Sequence, residues 1–125
     1  MNKVILTGNI CRDIELTQTA SGKEFVNNVI AVQRDFKNAQ GEYESDFINF
    51  VAWGTSAQYL NNYASKGDRV EIVGRWEVSQ YETEDGEKRT ANKCQVESIK
   101  AFSKQKTEDE QKEPVKASKD YQLPF

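Results

Sequence analysis

FINFVAWGTSAQYLNNYASKGDRVEIVGRW, residues 47–76, changes its periodicity twice. Its first eight residues alternate, with Ile48, Phe50 and Ala52 on one side of an extended chain and Phe47, Asn49, Val51 and Trp53 on the other. Both sides carry aromatic rings, so this strand has something to bury or bind on each face. After Gly54 the spacing lengthens. Tyr59, Leu60 and Tyr63 recur as on a helix, Thr55 or Ser56 is placed to cap its start, and Gly67 ends it. From Arg69 the alternation returns, with Val70, Ile72, Trp76 and Val78 on one side, where Gly74 is an expected bulge. Arg75, Glu77, Ser79 and Tyr81 take the other side, and Trp76 is assigned to packing. The stretch therefore predicts strand, one short helix, strand.

Working outward, the remaining elements are also extended. Asn2 to Ile10 reads as a first strand with a bulge or bend at Gly8, and Phe25 to Arg34 reads as a second. Between them and residue 47 lies RDFKNAQGEYESD, residues 34–46, a polar segment centred on Gly41 that reads as a long hairpin tip. Asp85-Gly86 marks a tight hairpin, after which Lys88 to Phe102 returns as a last strand. An all-β chain of about five twisted strands, with one short helix between the third and fourth, has the order of an OB-fold, a five-stranded Greek-key barrel. A small β-sandwich or an SH3-like barrel would present similar strands and turns.

The chain has 125 residues, of which 37% are hydrophobic, enough for one modest core plus an appendage. We expect the domain over residues 1–103, a disordered linker over 104–119, where the composition turns to Lys, Glu, Gln, Thr and Ser, and a separate tip, DYQLPF, at 120–125. The apolar run Val4 to Leu6 is too short for a signal segment or a membrane span. The expected location is therefore the cytoplasm. Cys11 and Cys94 match no zinc spacing and are expected to be free thiols. There is no histidine, which removes the commonest general base and metal ligand. The acids are scattered rather than clustered, so metal-dependent nuclease chemistry is disfavoured; no catalytic residue, metal or cofactor is expected.

MNKVILTGNICRDIEL, NNVIAVQRDF, GEYESDFINFVAWG, YASKG, RVEIVGRWEVSQYETEDGEKR and the terminal LPF, in this order, resemble the bacterial and bacteriophage single-stranded DNA-binding proteins. The likeness runs from Met1 to about Phe102 and resumes at the last six residues. It implies an OB-fold that assembles as a homotetramer and coats single-stranded DNA in replication, recombination and repair. It also implies that Phe36, Phe47, Trp53 and Tyr81 are base-stacking residues. The residues themselves single out the same four, each at a tip or opposite the core-facing set. Aromatic faces suit the task because every base has a π-face, so stacking needs no sequence. Their alternative role is as core or subunit-contact residues, above all for Trp53.

Charge runs against this. Residues 1–103 carry 12 Lys and Arg against 15 Asp and Glu, a net charge of −3, whereas a nucleic-acid binder is expected to be basic. Thr55, Glu77 and Ser79 stand where the family commonly has basic side chains. Arg12, Arg34, Lys37, Arg75, Lys88 and Arg89 remain as expected phosphate contacts, with Lys3 and Lys66 as weaker candidates. A binder dominated by stacking, with a shallow salt dependence, is the expectation. Two further departures are Ile14, in place of a usual proline, and Asn28, in place of a large apolar residue. Asn28 either meets a partner or opens the barrel locally, because a buried amide without partners is costly.

At the tip, Phe125 offers a ring and the terminal carboxylate together, Pro124 restricts the backbone and Leu123 adds a second apolar anchor. Asp120 is its one acid. These four residues read as a linear motif that captures replication, recombination and repair proteins through an apolar pocket edged by Arg or Lys. Alternatively the tip folds back onto the barrel or its binding groove. The competing functional class is an OB-fold replication-accessory scaffold that binds mainly protein and touches DNA weakly.

Overall fold

The computed structural model describes residues 1–102 and 115–116. Its elements are β1 (Val4–Ile10), β2 (Thr17–Gln18), β3 (Glu24–Lys37), β4 (Tyr43–Trp53), α1 (Thr55–Tyr63), β5 (Arg69–Glu82), β6 (Lys88–Ala101) and β7 (Val115–Lys116). The sheet order is β1-β5-β6-β4-β3-β2-β7, and an extra pairing of β1 with β3 closes the five long strands into a barrel. All pairings among those five are antiparallel except β4 with β6, where Phe50 lies beside Cys94 and Val51 beside Gln95. This is the OB-fold that the strand, helix, strand reading of residues 47–76 points to.

The barrel encloses Ile10, Val26, Ile30, Phe50, Ala52, Val70, Ile72 and Cys94, and α1 lies over one end with Ala57 and Leu60 turned inward. Leu60 is fully enclosed, which contributes roughly 1.5–3 kcal/mol relative to exposure. Trp76 packs partly against this core, as its strand parity requires. Val51, on the opposite side of β4, is also completely buried, so the central strand is covered on both faces.

Several local expectations change. The helix cap is Gly54, at φ 59°, with no side-chain cap, rather than Thr55 or Ser56. The helix stops at Tyr63, and Gly67, at φ 90°, shapes the turn into β5 instead of ending α1. Gly8 is not a bulge: it pairs regularly with Val70, and a Cβ there would fall 2.2 Å from the Ala31 carbonyl oxygen. Glycine is required because β1 crosses β3 at contact distance. Gly74 does mark a bulge, with the β5–β6 register shifting between Val73 and Gly74.

The long hairpin tip is mostly ladder. β3 continues to Lys37 and β4 begins at Tyr43, leaving a short turn in which Asn38 accepts from the N–H groups of Gln40 and Glu42 through Oδ1. Its residues lack apolar alternation because the arm extends past the core, where cross-strand polar pairs replace burial.

Asn28 meets a partner within its own chain. Only 1% exposed, it accepts from the N–H of Arg12 and of Val29 through Oδ1 and donates from Nδ2 to the Arg12 carbonyl oxygen. The amide thus fastens the loop after β1 to β3, and Ile14 and Leu16 in that loop complete the core. Within the expected linker, Val115–Lys116 pairs in parallel with β2 over two residues. The rest of the linker, and Asp120, Leu123, Pro124 and Phe125, lie outside the described residues.

Candidate nucleic-acid interface

Strand parity and register build one continuous outer face. On β4 it carries Phe47, Asn49, Val51 and Trp53, which lie across from Ala31, Val29, Asn27 and Phe25 of β3. The Val51–Gln95 pairing carries the face onto β6, and Arg75–Gln95, Glu77–Lys93, Ser79–Ala91 and Tyr81–Arg89 carry it along β5. Phe47, Trp53 and Tyr81 therefore share one face. Phe47 is 70% exposed and Tyr81 42% exposed, with their rings open to solvent.

Trp53 differs from them. It is half-buried, its ring centroid 5.0 Å from that of Phe25 at an interplanar angle of 41°. Phe25 backs the indole, and a cleft of about 490 Å³ lined by Gly22, Lys23, Glu24, Trp53 and Gly54 adjoins it. Phe36 stands apart near the end of the β3–β4 arm, 83% exposed, where the ladder register shifts between Gln33 and Lys37. Three of the four expected stacking residues are thus brought together, and the fourth is held out on the arm.

The cations divide evenly. Arg34 is held by Asp46 and Glu44, Arg75 by Glu77 at 3.1 Å, and Arg89 by Glu87 at 3.3 Å. Arg12, Lys37 and Lys88 make no ion pair among the described residues, although Lys37 Nζ lies 5.7 Å from the Tyr43 ring centroid. Of the weaker candidates, Lys3 pairs with Glu97. Asp46 is held below the usual carboxylate range chiefly by its hydrogen bond from Arg34, and the Arg34 guanidinium is raised by the same contact.

Glu77 sits at the centre of the outer face. It accepts from Arg75 Nη1 and Gln95 Nε2 and lies 3.3 Å from Nζ of Lys93, whose side chain is only 4% exposed. Burial pushes its carboxyl upward, but the hydrogen bonds and charge of Lys93, with help from Gln95 and Arg75, outweigh that and leave it lowered. Cys94, on the inner side of β6, has its thiol raised by burial and by the Glu97 charge. Cys11 and Cys94 are both free. Among the described residues no group of three or more Cys, Asp or Glu could hold a metal ion, and no helix is long and apolar enough to cross a membrane.

The amino-acid sequence of this barrel matches a known family over nearly all of the described residues. The family model of the single-strand binding proteins matches residues 1–102. The chain belongs to the single-strand binding protein family. It is 36% identical over 113 residues to a protein of Staphylococcus aureus named single-stranded DNA-binding protein 1, covering 90% of this chain and 72% of that one. It is 38% identical over 104 residues to the protein of that name from Streptococcus pyogenes, covering 83% of this chain and 80% of that one.

Sequence reasoning about this family member missed two kinds of residue near the expected contacts. Lys23 edges the Trp53 cleft, and its signal was the turn glycine beside it, Gly22, at φ 87°. The carboxylates of Glu44 and Asp46 act directly on Arg34, one of the expected phosphate contacts. Glu44 and Asp46 left their signal in the i, i+2 spacing, which puts both on one side of a strand.

Proposed function

We propose that this protein binds single-stranded DNA without regard to sequence, holding bases mainly by stacking. The observation that carries the reading is the shared outer face on which Phe47, Trp53 and Tyr81 present their rings. Membership of the family supports it independently. At roughly 1–3 kcal/mol per stacked base, three or four rings supply most of the attraction. The three expected phosphate contacts that make no ion pair among the described residues, Arg12, Lys37 and Lys88, add a log-log salt slope of about −2 per chain at ~0.7 per phosphate. In this role the chain coats and protects single strands during replication, recombination and repair in the bacterial cytoplasm. It acts as a homotetramer without catalytic activity and recruits partner proteins through Leu123, Pro124 and Phe125.

The test is a titration with an oligo-dT strand, following tryptophan fluorescence at several salt concentrations. Quenching with a shallow salt slope is expected, and no quenching rejects the reading. Light scattering checks the tetramer.

A second reading has a specific observation in its favour. Arg34, Arg75 and Arg89 are each tied to a carboxylate, as suits an OB-fold accessory scaffold that binds mainly protein. A mobility shift with single-stranded and duplex oligonucleotides of several sequences separates the two. Preference for single strands of any sequence supports the first.

A further inference from the structure

The aromatic face does not stop at Phe47. On β4 the alternation that sets Phe47 and Trp53 on one side runs back through Ser45 to Tyr43, the first residue of the strand. The register shift near the end of the arm lies on β3, where four steps from Gln33 to Lys37 oppose two from Ser45 to Tyr43. β4 itself is unbroken, so Tyr43 keeps the parity of Phe47. The two residues stand roughly 13 Å apart along the strand, at ~3.3 Å per residue. Tyr43 is 50% exposed, and Nζ of Lys37, its partner across the ladder, lies 5.7 Å from the ring centroid.

Beside this ring is a groove of about 760 Å³. Ala31, Gln33, Tyr43 and Ser45 line it from β3 and β4, and Asn9 and Arg69 from β1 and β5. Ala31 lies across from Phe47 and Gln33 across from Ser45, so the groove follows the side of the ladder on which both rings stand. Its described charged residues are Arg34, Asp35 and Arg69, two cations against one acid. Arg34 is held by Asp46 and Glu44, whereas Arg69 is exposed and makes no ion pair among the described residues. A nucleotide needs a π-face for its base and a charged donor for its phosphate, and this groove offers both.

We propose that the groove is a further nucleotide subsite, in which Tyr43 stacks a base and Arg69 meets a phosphate of the same strand. The proposal rests on the single-strand-binding reading above and extends the path of the strand from Phe47 onto the arm. Nucleotides follow one another at ~3.4 Å in a duplex strand and lie further apart when drawn out. About four of them therefore suffice to reach from one ring to the other.

The test titrates oligo-dT against the full chain for wild type and for Tyr43→Ala, Tyr43→Leu, Tyr43→Phe, Arg69→Gln and Phe47→Ala. Thermal melts establish that each is folded; Tyr43 and Arg69 are both exposed. Leucine keeps an apolar side chain on the arm without a π-face, and phenylalanine keeps the ring without the hydroxyl. Loss of one stacked base should raise Kd about 5- to 150-fold for the alanine and leucine variants, while Tyr43→Phe stays within about threefold of wild type. Arg69→Gln should make the log-log salt slope shallower by about 0.7. Wild-type affinity in Tyr43→Ala or Tyr43→Leu, a Tyr43→Phe protein as weak as the alanine variant, or an unchanged slope in Arg69→Gln each overturns the subsite. If wild type binds and Phe47→Ala weakens it but Tyr43→Ala does not, only the subsite fails; if wild type does not bind, the single-strand reading fails with it.

Discussion

Trp53→Ala and Phe47→Ala separate a ring that supports the fold from one that does not. Phe47 is 70% exposed, and its removal should alter stability by no more than about 0.5 kcal/mol. Trp53 is half-buried against Phe25, which is only 1% exposed and loses its cover when the indole is cut away. Full truncation of an enclosed Trp costs about 3–5 kcal/mol, so a half-enclosed one should cost about 2 kcal/mol. For a domain of this size that corresponds to a fall in Tm of roughly 8–16 °C. Both variants should lose one stacked base, roughly 1–3 kcal/mol, a 5- to 150-fold rise in Kd for oligo-dT. The assay pairs thermal melts with anisotropy titration of a labelled strand at a temperature where both variants are folded. Unaltered affinity in a destabilised Trp53→Ala protein would show that the indole only packs. A collapse of the Phe47→Ala transition would show that its face is covered by another surface rather than open to a base.

Three further outcomes follow from the packing and charge. Asn28→Leu leaves the Arg12 N–H and carbonyl oxygen without their partner, so urea unfolding should show a loss of roughly 2–6 kcal/mol despite the added apolar volume; unchanged stability refutes the fastening role. Glu77→Gln removes a carboxylate that lies 3.3 Å from Nζ of the buried Lys93 and should cost about 1–3 kcal/mol at neutral pH. Because the folded carboxyl lies below its usual 4.5, its stabilising effect is complete above that value and lost as pH falls through the lowered one. The gap between wild type and Glu77→Gln should therefore narrow in acid, and a gap that widens in acid contradicts the sign. Deleting residues 123–125 should leave oligo-dT binding intact and abolish capture of partner proteins, measured by co-precipitation; retained capture refutes the tip assignment.

Residues 47–76 carry the fold in readable form because each change of period answers to burial. Alternation of two marks a pleated strand with a covered face, and the Tyr59, Leu60, Tyr63 spacing marks a helix lying on the barrel. The extended arm was less legible. Arg34 to Asp46 shows no apolar period because its pairing is held by ladder hydrogen bonds and cross-strand charges, which leave no hydrophobic signature. The helix cap misled for a related reason: a glycine at positive φ does the work that a hydroxyl side chain advertises in sequence.

By itself, the sequence determined the strand, helix, strand order of residues 47–76, the core-facing parity of its two strands and the four candidate stacking rings. These depend on local periodicity and on the aversion of large apolar groups to water. Only the tertiary structure decided that Phe47, Trp53 and Tyr81 share one face, that Asn28 fastens the loop after β1, and that Arg34, Arg75 and Arg89 are already paired. Those outcomes rest on register between strands and on distances of a few ångströms between side chains. Asn28 meets Arg12 across 16 positions and Arg34 meets Asp46 across 12, and no period along a single strand encodes which partner waits on the other side.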